Sequence, residues 1–143
     1  METSEELLSA WLELTANVRG NRILRDLSLN EIMVLRHLIR EGGEEGMTAS
    51  ALGSRLKLLK SQMHQVLSGL EERGYIGRRR SGGDARYVSV LPTGAGVDAY
   101  NGEHGKIMRL MDHVVASLGE ESAETLTRLI REAVSAAETA REV

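Results

Sequence analysis

The chain has 143 residues, 41% hydrophobic and 27% charged, a balance that fits a single folded domain, 1–143, and excludes a disordered polyelectrolyte. It has no cysteine, which excludes a disulfide framework, a thiolate metal site and a thiol switch. The net charge of −3 is unevenly spread: residues 55–86 hold eight Lys or Arg against Glu71, Glu72 and Asp84, a local +5, and the remainder carries −8. A basic island in an acidic chain implies one polyanion-binding face. No segment approaches the roughly 18 consecutive apolar residues of a membrane helix. The start, Met1 to Glu6, is acidic rather than leader-like, so a cytoplasmic protein with no membrane partner is expected.

In chain order, the first helix is expected over about 3–26, where Leu7, Leu8, Trp11, Leu12 and Val18 recur at helical spacing. A second starts near Leu29, with Asn30 as its cap and Ile32, Leu35, Leu38 and Ile39 facing inward; Gly42 and Gly43 end it. Met47 and Thr48 open a short third helix, capped by Thr48, with Ala49, Leu52 and Leu56 packed inward. After a break at Lys57 and Leu58, a fourth runs from about Lys60 to Arg73 and stops at Gly74. The period then changes to two. Ile76–Arg80 and Arg86–Val90 read as strands, joined by a tip at Ser81-Gly82-Gly83-Asp84. Pro92 suits the first turn of a long helix over about 93–118, and a last helix over about 121–137 carries Leu126, Leu129, Ile130 and Val134 on one face. The fold class is mainly α with a small β-hairpin wing, a winged helix-turn-helix over 47–91.

The fourth helix is the expected reader. Met63, Val66, Leu67 and Leu70 repeat at core spacing, which turns Ser61, Gln65 and Ser68 to the opposite side, with His64 on the flank. Gln can pair bidentately with adenine, and Ser or His can reach base edges or phosphates. Lys60, Ser61, Gln62, His64 and Gln65 are therefore the candidates for the major groove and its flanking phosphates. A polar face alone is what any surface helix presents; the hairpin decides the matter. Arg78, Arg79, Arg80 and Arg86 crowd four guanidinium groups onto it, and like charges that close repel unless a polyanion offsets them. Arg78, Arg80 and Arg86 are assigned to the wing and the DNA backbone.

Asp84-Ala85-Arg86, followed by Thr93-Gly94-Ala95-Gly96, resembles the D-x-R…T-x-x-G signature of the MarR (multiple antibiotic resistance regulator) family. Leu70-Glu71-Glu72-Arg73-Gly74-Tyr75-Ile76 is similar to that family's stretch at the end of the recognition helix. Glu103-His104 and Leu118-Gly119-Glu120-Glu121 also resemble it, so the likeness covers nearly the whole chain. The resemblance implies a triangular homodimer whose segments 3–26 and 93–137 are dimerisation helices. It implies winged units bound to a pseudo-palindromic operator in double-stranded DNA. It also implies that Arg86 enters the minor groove, oriented by Asp84, where a narrow groove rewards an inserted Arg. Family members usually repress nearby genes, and many release DNA when a small, often aromatic, acid binds. Three positions depart from the pattern. Lys57 stands where the helix-turn-helix turn usually has Gly. Leu59 stands at the cap usually held by Ser, Asp or Thr, which leaves Ser61 as either cap or reader. Pro92 replaces the usual Leu before the Thr.

Other constellations carry less. His104 and His113 are nine apart, about 180° round a helix, and no H-x-x-x-H spacing occurs, so no metal or other cofactor is expected. Met33, Met108 and Met111 fit either an effector pocket or plain core, and Trp11 fits dimer packing. Gly94, Gly96, Gly102 and Gly105 weaken the long helix and fit either close contact or mobility. With no Cys nucleophile, G-x-S-x-G or phosphate loop, an enzyme is not expected. The rival reading is a winged-helix adaptor or antirepressor that binds protein without reading bases.

Overall fold

A computed structural model describes residues 1–20, 26–80 and 87–140, and among them are six helices and three short strands. Helix α1 (Glu2–Gly20) carries the first apolar stripe, and its Leu7, Leu8, Trp11 and Leu12 all stay exposed. Asp26 is not helical, so the first helix stops short of the expected end. Helix α2 (Leu29–Glu41) buries Ile32, Val34, Leu35 and Leu38. Its cap is Ser28, not Asn30. The Ser28 hydroxyl accepts the Glu31 N–H at 3.2 Å, and Glu31 returns a carboxylate oxygen to the Ser28 N–H at 2.9 Å. This reciprocal box satisfies two orphan donors at once, which a cap at Asn30 would forgo.

Met47 and Thr48 form a strand, β1 (Met47–Thr48), before helix α3 (Ala49–Leu56) begins. Thr48 nevertheless caps α3 as expected, accepting the Ala51 N–H at 3.1 Å. Lys57 closes α3 in the left-handed region, φ 58° and ψ 36°, and is the one non-glycine residue at positive φ among the described residues. A conformation that Gly adopts most easily is thus taken here by Lys. Helix α4 (Lys60–Glu72) follows, burying Met63, Leu67 and Leu70. Gly74, at φ 75°, stops the chain from continuing as helix.

Strands β2 (Ile76–Arg80) and β3 (Val88–Pro92) pair antiparallel, Arg78 opposite Val90 and Arg80 opposite Val88. The second strand lies two residues later than its pattern suggests. β1 pairs with the other edge of β3, Met47 opposite Val90, so the sheet order is β1-β3-β2. Pro92 ends β3 and does not start a helix. It lies beyond the reach of the two-residue β1, and Thr93 supplies the cap instead, accepting the Gly96 N–H at 3.1 Å. Helix α5 (Gly94–Leu118) and helix α6 (Glu120–Ala140) complete the chain.

Residues 1–105 form one compact unit and 106–143 a second. In the first, α2, α3 and α4 pack on one another, α2 and α3 also against β3 and α4 against β2. Leu35, Leu38, Leu52, Leu67, Leu70 and Val90 are essentially inaccessible there. Burying each stabilises by about 1.5–3 kcal/mol relative to exposure. In the second, α6 buries none of its residues, and its stripe of Leu126, Leu129, Ile130 and Val134 is exposed. Among the described residues no helix is long and apolar enough to cross a membrane.

Candidate nucleic-acid interface

Burial of Met63, Leu67 and Leu70 fixes the rotation of α4 and so decides what its other face presents. Lys60, Ser61, His64, Gln65 and Ser68 are all exposed there, and the first turn holds no acidic residue. Val66, expected in the buried stripe, is only half-buried. The start of the helix places Leu59, and not Ser61, at the cap. Leu59 occupies the cap position in extended conformation, with no side-chain acceptor of its own. Gln62 supplies only the returning half of a capping box: its Oε1 accepts the Leu59 N–H at 2.9 Å. Ser61 is therefore left on the exposed face with its hydroxyl uncommitted to capping. Gln62 has spent its oxygen on the backbone, which leaves its amide nitrogen as the group able to face outward.

The wing arginines are not equivalent. Arg78 and Arg80 share one side of β2 and Arg79 takes the other, as strand alternation requires. Arg78 Nε donates to Glu71 Oε2 on α4 at 2.9 Å. Arg79 Nη2 donates to the Glu44 carbonyl at 3.1 Å. Arg80 is exposed and makes no such bond within the described residues. Asp84 and Arg86, together with the tip from Ser81, lie outside the described residues.

Arg73, although part of the basic island, faces inward chemically. Its guanidinium pairs with Glu31, donates to the Asp26 carbonyl at 2.7 Å, and lies 5.2 Å from the Tyr75 ring centroid. Sequence reasoning misses Glu31, Glu44 and Glu71 as partners of the island's arginines. The first is open to discovery from the Ser28-Leu29-Asn30-Glu31 box, whose carboxylate is then already placed. The other two join residues from separate elements and leave no local signal.

The junction between α4, β2 and α5 is closely built. Thr93 donates its hydroxyl to the Gly74 carbonyl at 2.6 Å and its N–H to the Tyr75 carbonyl at 3.0 Å. Gly96 then approaches so closely that a Cβ there would lie 2.0 Å from the Tyr75 oxygen. Of the glycines that open α5, Gly96 is thus a close-contact residue. Nearby, Arg36 donates to the Tyr100 hydroxyl at 2.7 Å, Tyr100 stacks on His104, and Glu103 is buried. Among the described residues no three His, Asp or Glu side chains are gathered as a metal would need.

The sequence model of the MarR family matches residues 25–86. No curated protein matches the chain by sequence. Among solved structures, the chain is similar to the PcaV transcriptional regulator of Streptomyces coelicolor in complex with its natural ligand. That likeness has 24% identity over 91% of each chain and a TM-score of 0.74. It is similar to a MarR family protein from Bacillus stearothermophilus at 20% identity over 95% of this chain and 94% of that one, TM-score 0.71. It is also similar to a variant of S. aureus MepR bound to an oligodeoxyribonucleotide, at 17% identity over 92% of this chain and 96% of that one, TM-score 0.61. These likenesses establish a six-helix fold with a small antiparallel wing, mainly α, of the winged helix-turn-helix type.

Proposed function

Residues 25–86 match the sequence model of the MarR family, and we propose that the chain is a homodimeric transcription regulator of that kind, a repressor binding a pseudo-palindromic operator. The single observation that carries this is the acid-free start of the exposed face of α4, Lys60, Ser61, His64 and Gln65, with the arginines of β2 on the strand that packs against this helix. A helix that is small and polar on its outer side fits the major groove, and cations beside it fit the flanking phosphates. Arg86, with Asp84 orienting it, takes the minor groove. A relative of the same fold bound to an oligodeoxyribonucleotide supports DNA as the partner.

Dimerisation is supported by the exposed stripes of α1 and α6, which a second copy would cover. A similar structure solved in complex with its natural ligand supports a small molecule as a further partner, which we propose acts as an effector that releases the operator.

The test is anisotropy titration of the full chain on DNA from upstream of its own gene, at two salt concentrations. Binding that weakens steeply with salt is expected. Absence of binding at low salt refutes the proposal. Arg86→Ala should lose DNA affinity while remaining dimeric; unchanged affinity removes the minor-groove role.

A further inference from the structure

Leu59 stands at the cap of α4, where Ser, Thr, Asp or Asn would satisfy an orphan backbone N–H. It offers no acceptor, and Gln62 instead ties down its backbone, Oε1 to the Leu59 N–H at 2.9 Å. The backbone at this position is therefore held while the side chain has no duty in the helix start. Nor does it serve the core. Leu59 is 69% exposed, more than the other large apolar residues exposed between residues 27 and 92, Leu29 at 56% and Tyr87 at 58%. Its neighbours Lys60 and Ser61 are exposed as well, and no acid lies in the first turn, so the surface around this leucine suits a polyanion.

In a helix-turn-helix the N-terminal residues of the second helix are the ones presented to base edges. A leucine can neither donate nor accept a hydrogen bond. The one apolar group on any major-groove base edge is the C5-methyl of thymine; the minor groove displays none. Resting on the DNA-binding reading above, we infer that Leu59 is a specificity-determining residue. It contacts the methyl group of one thymine in each half-site, while Lys60 beside it holds a phosphate.

The experiment uses the full chain and a random duplex pool enriched by binding at low salt. The enriched duplex is then resynthesised with deoxyuridine replacing one thymidine at a time. Deoxyuridine removes the methyl and keeps the pairing and the O4 acceptor. One thymine per half-site should respond, the wild-type chain binding about fourfold more weakly once that methyl is gone. Leu59→Ala should bind the dT and dU duplexes equally, with an unchanged salt slope because every phosphate remains neutralised as before. The exposed side chain makes this substitution neutral for folding. A wild-type chain indifferent to dU at every position overturns the inference, and so does Leu59→Ala retaining the dU penalty. Both leave the regulator reading intact. Failure to enrich any duplex overturns that reading and this inference together.

Discussion

Arg73, at the C-terminal cap of α4, pairs with Glu31 in the first turn of α2, and Glu31 gives its other oxygen to the Ser28 N–H. One carboxylate thus serves as helix cap for α2 and as anchor for the end of α4. Glu31→Ala should lower stability by about 1–2 kcal/mol, since a charged hydrogen bond and half of a capping box disappear together. Glu31→Gln should cost less, because an amide oxygen can still accept the Ser28 N–H. Urea denaturation of both variants checks this; equal destabilisation would show that the cap half contributes nothing.

Gly96→Ala should be more damaging. The new Cβ would lie 2.0 Å from the Tyr75 carbonyl oxygen, and that carbonyl already holds Thr93. Backbone must move on both sides, at a cost of about 1–3 kcal/mol for an overpacked contact. A lowered urea midpoint with an unchanged slope is the expected signature. Gly102→Ala, where nothing lies within 4 Å, is the control and should be neutral or stabilising.

The wing arginines should separate by salt dependence. Arg80, which has no internal partner in the described residues, should on truncation reduce the slope of log K against log salt by about 0.9 for each phosphate it neutralises. Arg78→Ala should reduce it less, because its guanidinium is shared with Glu71. Glu71→Gln should act oppositely and raise affinity at low salt by freeing Arg78. Titrations at four salt concentrations distinguish the three; identical slopes for Arg78→Ala and Arg80→Ala would remove the role given to Glu71.

The outlying helices give a prediction about assembly. Leu129→Asp combined with Ile130→Asp places charge in the exposed stripe of α6, which buries nothing within the chain. The helix should persist in circular dichroism while sedimentation shifts to the monomer mass and DNA affinity falls. A dimer surviving both substitutions would move the interface off this stripe.

Where a single residue's local chemistry decides, the sequence is legible. The repeat of Met63, Leu67 and Leu70 sets the face of α4, and Thr48 is recognisable as a cap. Ser28 is equally visible through its S-x-x-E box, yet Asn30, a good cap by type, competes for the assignment; reciprocity outweighs residue type. Strand β1 is illegible for another reason. Two residues have no period, and Met47 is a strand residue only because Val90 lies beside it. Pro92 misleads likewise, since its local preference for a helix start yields to the pairing of β3 with β2. In the candidate site, Lys60, Ser61, His64 and Gln65 are exposed together as the period requires. The ties of Arg78 to Glu71 and of Arg79 to Glu44 join elements that only the fold brings together.

The start of α4 divides two duties that one residue usually combines. Gln62 holds the Leu59 N–H there, while the side chain at 59 is exposed and takes no part in capping. On the role inferred for Leu59, the backbone hold at Gln62 and the choice of binding site at Leu59 fall on separate side chains, with little conflict between them. With that role, a lineage built this way would retarget its binding by one substitution at 59 and keep its stability, and this helix start would be a point of evolutionary drift in site preference.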